Sequence, residues 1–148
     1  MGAQTGPQQV YNAGTFTPTV TLVGGAGNTV PQYSTNSGRY TRIGNRVFVD
    51  VYLTGDGGNE GAGSGVLNVA LPITASTSHP AGNFLAGSWI NGTSQKPCYG
   101  VITGSSTTIA LKVQGDAAGV LNDTQPDVTG NNQNNTTRSI RLKFSYEV

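Results

Sequence analysis

The sequence predicts an all-β protein: a single-domain antiparallel β-sandwich of about eight strands, with jelly-roll topology as the expected arrangement. Apolar residues recur at every second position in several segments, which is the period of a half-buried strand. Gly, Ser, Thr and Asn make up 65 of the 148 residues, and these types favour turns or outward strand positions. Helix-forming charged residues are scarce, because Asp, Glu, Lys and Arg together make up only 10% of the chain.

The alternation is clear in five segments. Residues 47–53 read Val-Phe-Val-Asp-Val-Tyr-Leu, and residues 140–148 alternate apolar with polar side chains up to the last position. Segments 16–22, 67–71 and 109–113 show the same period. Antiparallel sheets with one face in water have this pattern. The eight predicted strands are 15–23, 32–43, 46–54, 65–71, 82–91, 97–103, 107–114 and 138–148.

Two local signals refine this prediction. Gly44 and Asn45 lie between two β-rich runs, and both tolerate the positive φ that a two-residue hairpin turn requires. Pro18 lies inside the first predicted strand and has no N–H to donate. We therefore expect that strand to lie at a sheet edge or to carry a bulge.

Segments without periodicity divide the chain into an arm and one domain. Residues 1–13 are polar and are predicted to form an extended N-terminal arm, followed by a β-sandwich domain over residues 14–148. The Gly-rich segment 55–65 and the Asn-rich region 115–137 are predicted as loops. A loop as long as the second is usually functional or disordered.

Charge and cysteine content exclude several classes of protein. Eight Lys and Arg residues are offset by seven acids, and a net charge of +1 does not favour nucleic acid as a partner. The chain has no run of 18 apolar residues to span a membrane, and its N-terminal residues lack the pattern of a signal peptide. The single Cys98 cannot form an internal disulfide, so we expect synthesis in a reducing cytoplasm.

No pattern of catalytic residues stands out. The single His79 lies in a Thr-Ser-His-Pro segment, and no serine lies in the G-x-S-x-G pattern of hydrolases. Cys98 is predicted to be a buried, inert thiol. Asp56, Asn59 and Glu60 offer oxygen ligands for Ca²⁺, but Asp-Gly-Gly-Asn is also an ordinary turn sequence. We therefore predict a non-enzymatic protein with no metal and no cofactor.

Two groups of residues are candidates for contacts with a partner. Arg39, Arg42 and Arg46 lie on either side of the predicted hairpin turn. They form either a solvated end of the sheet or a basic patch that contacts an acidic surface of a partner. The second group combines aromatic rings, which can stack on sugars, with an amide that can hydrogen-bond to them. Its members are Trp89, Asn91, Tyr99 and Tyr52. For Trp89, packing in the core is the favoured interpretation, and a contact with a sugar is the alternative.

Three segments in the first half of the chain share a pattern with a known family. They are residues 14–20 (GTFTPTV), residues 38–51 (GRYTRIGNRVFVDV) and a strand that ends at Leu71-Pro72. Over residues 12–75 the chain resembles a module found in virion proteins of tailed bacteriophages, at the ends of tail fibres and in small capsid-associated proteins. The resemblance implies a β-sandwich that assembles on the virion, often as a homotrimer.

Two functions follow from this resemblance. The first, which we favour, is a capsid decoration or cement protein that binds the outside of the head and stabilises junctions between major capsid protein subunits. A chain that begins at Met1 with a short arm and no shaft is expected for such a protein. The second is a tail-fibre tip that recognises a host-surface glycan through the aromatic group and its amide.

The arm is the predicted contact segment of a decoration protein, because an extended segment can add a strand to the sheet edge of a partner. Its candidate contact residues are Gln4, Gln8, Gln9, Val10 and Tyr11. The loop over residues 115–137 is the second candidate. The predicted partners are the major capsid protein and further copies of the chain, without nucleic acid or membrane. The predicted location is the capsid exterior, after synthesis in the host bacterial cytoplasm.

Overall fold

The computed structural model describes residues 10–23, 33–55, 66–91, 94–114, 121–122 and 138–148, and it is built there from strands and turns. Ten strands lie within these ranges. Their bounds are β1 Tyr11–Phe16, β2 Val20–Val23, β3 Tyr33–Ile43, β4 Arg46–Gly55, β5 Val66–Ala70, β6 Asn83–Asn91, β7 Ser94–Val101, β8 Thr108–Gln114, β9 Leu121–Asn122 and β10 Arg138–Glu147. The same ranges contain no helix of the length and hydropathy needed to cross a membrane.

All of these strands belong to one antiparallel sheet. Its order is β1-β3-β4-β10-β6-β7-β8-β5-β2, and the short β9, in the region predicted as a loop, pairs with β8. The prediction of an all-β domain is confirmed. The finer prediction of a two-sheet jelly-roll is not confirmed, because hydrogen bonds connect the strands into a single curled sheet.

The two edge strands of the curled sheet are consecutive in the chain. β1 and β2 lie at opposite ends of the strand order, yet only residues 17–19 separate them. Pro18 is buried at this corner, and its carbonyl oxygen accepts a hydrogen bond of 2.7 Å from Nδ2 of Asn36 on β3. The strand predicted over residues 15–23 is therefore divided into two edge strands. This agrees with the expectation for Pro18, which has no N–H to donate to a neighbouring strand.

The inner face of the curled sheet encloses the hydrophobic core. On β4, Val47, Val49, Val51 and Leu53 are buried, whereas residues 48, 50 and 52 between them are exposed. The predicted faces of this strand are therefore confirmed. β10, between β4 and β6, is buried at every second residue in the same way. The other buried apolar residues are Val20, Leu67, Val69, Ala75, Ala86, Trp89, Cys98, Ile102, Ile109, Leu111, Val113, Ile140, Leu142, Phe144 and Tyr146.

The hairpin between β3 and β4 is closed by the predicted two-residue turn. Gly44 and Asn45 connect the strands, and Ile43 pairs with Arg46 across the turn. Gly44 has a φ of +61°, whereas the φ of Asn45 is not positive. This is the pattern of a type II′ turn, in which glycine takes the first central position. The turn therefore needs positive φ at one residue and not at both.

The side chain of Tyr146 connects β10 to the segment that follows β5. It is fully buried, and its Oη donates a hydrogen bond of 2.6 Å to the carbonyl oxygen of Ile73. Burial raises the pKa of Tyr146 to about 12, and the hydrogen bond to Ile73 partly offsets this effect. The native state therefore holds the phenol proton at pH values where the unfolded chain releases it.

We expect the free energy of unfolding to fall between pH 10 and pH 12. Over this range Tyr146 ionises in the unfolded chain but stays protonated in the native state, so the native state binds more protons and loses stability as the pH rises. Tyr146→Phe should cost about 1 kcal/mol at neutral pH and make the alkaline decline shallower. Urea unfolding at several pH values measures both effects, with Tyr11→Phe at an exposed position as the control. An unchanged alkaline slope in Tyr146→Phe would contradict this prediction.

Candidate functional site

A groove with a volume of about 720 Å³ lies on the outer face of the sheet. It crosses β3, β4, β10 and β6, which are neighbours in that order. Cross-strand pairing arranges its polar residues in two adjacent rows. The first row consists of Ser37, Tyr52, Arg141 and Ser88. The second row consists of Arg39, Asp50 and Lys143.

A β-bulge in β6 shapes one side of the groove. The register between β6 and β7 shifts between Leu85 and Gly87, and the pairing of β6 with β10 reaches only as far as Gly87. Residues 83–85 of β6 pair with β7 and not with β10, whereas residues 87–91 pair with both strands. A Cβ at Gly87 would lie 1.9 Å from the carbonyl oxygen of Arg141. The bulge therefore brings the backbones of β6 and β10 together where Arg141 projects outward.

Arg141 and Tyr52 form the centre of the groove. The guanidinium carbon of Arg141 lies 5.0 Å from the centroid of the Tyr52 ring, within the range of a cation–π interaction. The neighbouring side chains of Thr54 and Arg141 lower the pKa of Tyr52. Both ring and guanidinium are on exposed residues. The tyrosine therefore orients the guanidinium while leaving it accessible to solvent.

The groove carries an excess of positive charge. Arg39, Arg141 and Lys143 line it, together with the single carboxylate of Asp50. Nζ of Lys143 lies 3.8 Å from Oδ1 of Asp50, and the two side chains are 85% and 60% exposed. An exposed pair at this distance contributes little to stability, so the lysine is free to turn toward another anion. The arrangement suits a negatively charged ligand.

One backbone edge of β1 has no strand partner among the described residues. Among the described strands, β3 alone pairs with it. The N–H of Gly44 donates to the carbonyl oxygen of Val10 at 2.8 Å, so the even-numbered positions of β1 are the ones bonded to β3. The N–H and C=O groups of Tyr11, Ala13 and Thr15 therefore point away from β3. β1 contains neither a charged residue nor a proline, which commonly protect such an edge.

An apolar patch borders this edge. Tyr11, 71% exposed, pairs with Ile43, which is also exposed. Phe48, 47% exposed, lies in the adjacent cross-strand row, and exposed Val10 precedes β1. Val10 lies opposite Gly44 and so faces the other side of the sheet by the period of two. Tyr11, Ile43 and Phe48 are called the apolar patch below. Clustered exposed apolar side chains commonly mark contact with another macromolecule.

The structure separates the residues predicted for a glycan site. Trp89 is 2% exposed and packs in the core, so its ring is not accessible to a sugar and it is removed from the candidate site. Tyr99 is half-buried on β7, where it pairs with Leu85. Asn91 is the last residue of β6. Tyr52 is the member of the predicted set that lines the groove.

The three predicted arginines do not form one patch. Arg39 lines the groove, and Arg46 lies at the hairpin end of the same face. Arg42 lies on the opposite face, because it pairs with the buried Val47. Its Nε donates a hydrogen bond of 2.8 Å to the carbonyl oxygen of Gly44. The period of two in a strand separates residues that are three positions apart.

Sequence reasoning did not assign Arg141, Lys143 or Asp50 to a site. The alternation along β4 and β10 is a signal that places all three on an outward face. Their proximity depends on the pairing of these two strands, which sets Arg141 opposite Tyr52 and Lys143 opposite Asp50. β4 and β10 lie far apart in the chain, so their pairing could not be read from local periodicity.

Several predicted residues lie outside the described ranges. They are Gln4, Gln8 and Gln9 of the arm, and Asp56, Asn59 and Glu60 of the alternative calcium loop. Of the predicted arm contacts, Val10 and Tyr11 are described and exposed. The boundary predicted between residues 13 and 14 falls within β1, which pairs with β3 along its whole length.

Cys98 and His79 are the residues whose side chains could act as nucleophile or base, and both are held by contacts within the fold. Cys98 is buried as predicted, and burial raises the pKa of its thiol to about 12, so the reactive thiolate is scarce near neutral pH. Nδ1 of His79 accepts a hydrogen bond of 3.4 Å from the backbone N–H of Glu147. Within the described ranges, no group of three or more His, Cys, Asp or Glu residues is placed to hold a metal ion.

Comparison of the chain with protein-family models, with curated proteins and with solved structures gave no match. The structure defines an all-β protein with a cationic groove on its outer face and a free edge strand beside an apolar patch. These two surfaces of the described residues are therefore the structural basis on which a function can be proposed.

Proposed function

We propose that the protein is a non-enzymatic bacteriophage virion protein that decorates the outside of the capsid and stabilises junctions between major capsid protein subunits. The observation that carries this proposal is the free edge of β1 beside the apolar patch. The edge supplies N–H and C=O groups that no described strand pairs, and the patch supplies apolar surface, which together suit contact with another protein. The resemblance of residues 12–75 supports the major capsid protein as partner and a homotrimer as the assembly.

Strand addition at β1 would let weak contacts stabilise a shell. A partner strand would form backbone hydrogen bonds with Tyr11, Ala13 and Thr15. Many copies bind one head, so the lattice supplies a high effective concentration. A protein that binds the assembled shell and not free subunits shifts the assembly equilibrium toward the shell. With only 10% charged residues, neighbouring copies repel one another little.

The location is tested on virions of the phage that encodes the chain. Mass spectrometry of purified virions should detect the protein in many copies per head. Cryo-electron microscopy should place it on the capsid exterior, with β1 toward a neighbouring subunit. Its absence from virions, or its presence on the tail alone, would overturn the proposal.

Ala13→Pro is expected to weaken binding to purified heads by about tenfold. Proline removes the N–H of residue 13, which points away from β3, so it obstructs an added strand but leaves the β1–β3 ladder intact. Ala13→Ser retains the N–H and is the matched control, and thermal unfolding checks that both variants fold. Unchanged occupancy of heads by Ala13→Pro in a co-sedimentation assay would contradict the role assigned to this edge.

A tail-fibre tip that recognises a host-surface glycan is a second candidate function, and the groove favours it. Tyr52, predicted for a glycan site, shares the groove with Arg39 of the predicted basic patch. The groove volume of about 720 Å³ lies within the usual range for small-molecule sites. Binding of the purified protein to a glycan array tests this candidate, and an array without a bound glycan would exclude it.

A further inference from the structure

We propose that the groove binds a carboxylated saccharide and that Arg141 receives its carboxylate. The inference rests on the second candidate function, glycan recognition, and specifies the class of glycan. The ligand lies along the row that contains Tyr52 and Arg141, with Arg39 and Lys143 beside it. Three properties of the groove lead to this class of ligand: an oriented guanidinium, a mixed charge pattern and an elongated polar lining.

Arg141 is oriented before a ligand binds. Its guanidinium carbon lies 5.0 Å from the centroid of the Tyr52 ring, within the range of a cation–π interaction. A guanidinium presents two parallel N–H groups that match the two oxygens of a carboxylate. Because the stacked side chain has already lost rotamer freedom, it loses less entropy on binding than a free arginine would.

The charge pattern favours a sugar acid over a simple anion. Arg39, Arg141 and Lys143 give the groove a net positive charge, which attracts a carboxylate. Asp50 lies among them and would repel a compact inorganic anion at the centre of the groove. Its carboxylate oxygens accept hydrogen bonds, which the hydroxyl groups of a sugar can donate. A ligand with one carboxylate and several hydroxyls satisfies both kinds of group.

The length and lining of the groove also favour a saccharide. The row from Ser37 to Ser88 crosses four strands, or roughly 14 Å at about 4.8 Å between neighbouring strands. This is longer than a single carboxylate or phosphate. The serine hydroxyls at its two ends can exchange hydrogen bonds with sugar hydroxyls, and the exposed Tyr52 ring can contact sugar C–H groups.

The first experiment identifies the glycan and measures the contribution of its charge. The purified full chain is applied to an array that carries uronic acids, sialic acids and neutral sugars. The acidic glycan bound most tightly is then compared with its methyl ester by titration calorimetry. We expect the acid to bind at least about tenfold more tightly than the ester. We also expect binding to weaken at about 1 M salt, where the Debye length is about 3 Å.

The second experiment tests Arg141 itself. Arg141→Gln should weaken binding of the acidic glycan by about tenfold or more. Arg46→Gln makes the same charge change on the same face outside the groove, and it should leave binding unchanged. Arg141→Lys keeps the charge without the paired N–H groups, so its affinity should be intermediate. Both arginines are exposed, and thermal unfolding verifies that the variants fold.

The outcomes separate this inference from the function on which it rests. Equal binding of the acid and its ester, or unchanged binding by Arg141→Gln, would overturn the carboxylate assignment and leave glycan recognition standing. Equally tight binding of polyglutamate would assign the groove to an acidic protein surface and overturn the saccharide. An array without any bound glycan would overturn both the inference and glycan recognition.

Discussion

Gly87→Ala is expected to lower the free energy of unfolding by about 3 kcal/mol. A Cβ at position 87 would lie 1.9 Å from the carbonyl oxygen of Arg141 and 2.8 Å from Cα of Leu142. Both are backbone atoms of β10, which cannot turn aside as a side chain can. The strain is relieved only if β6 and β10 move apart, and that movement disturbs the hydrogen bonds between them.

Gly82→Ala is the matched control for this substitution. Gly82 lies just before β6, and a Cβ there would meet no atom within 4 Å. Urea unfolding should show a change of less than about 0.5 kcal/mol for Gly82→Ala. If Gly87→Ala lowers the free energy of unfolding no more than Gly82→Ala does, the backbones of β6 and β10 do not approach each other as closely at the bulge as described. Because the clash displaces Arg141, Gly87→Ala should also weaken ligand binding in the groove.

Trp89→Ala is expected to lower the free energy of unfolding by about 3 to 5 kcal/mol. Trp89 is 2% exposed and lies between Ile140 on β10 and Lys96 on β7 in the cross-strand register. Removal of the indole leaves a cavity beside the central strand of the core, and the surrounding sheet can close it only in part. Chemical denaturation measures the loss.

Tyr52→Ala is the aromatic control, with the opposite expected effects. Tyr52 is exposed, so its removal should change the stability by less than about 1 kcal/mol. The same substitution removes the ring that orients Arg141 and should abolish most binding in the groove. A small stability loss in Trp89→Ala, or a large one in Tyr52→Ala, would contradict the burial assigned to these two residues.

The edge of β1 and the groove are different surfaces of the sheet. A strand added to β1 extends the sheet in its own plane. The groove lies on the outer face between β3 and β6, and its two rows do not include the apolar patch. Contact through the β1 edge alone would leave the groove exposed. Contact through the apolar patch would bring the partner next to the groove, because Phe48 lies one cross-strand row from Asp50 on the same face.

The faces of the regular strands β4, β5, β8 and β10 could be predicted from the sequence, and those of β6 could not. On β4 and β10 a strict period of two identifies the buried residues. On β6 the bulge between Leu85 and Gly87 inserts an extra residue, so Ala86 and Trp89, three positions apart, both face the core. A bulge depends on contacts with neighbouring strands, and for this reason local periodicity did not show that Trp89 is buried.

The sequence by itself determined the all-β class, the turn at Gly44 and the inward faces of the regular strands. These features depend on the period of two and on local backbone preferences, which act over a few residues. Only the tertiary structure decided that the strands form one sheet, that its edge strands meet at Pro18 and that Arg141 lies against Tyr52. Strand partners distant in the chain are selected by the packing of the whole core, which no local pattern encodes.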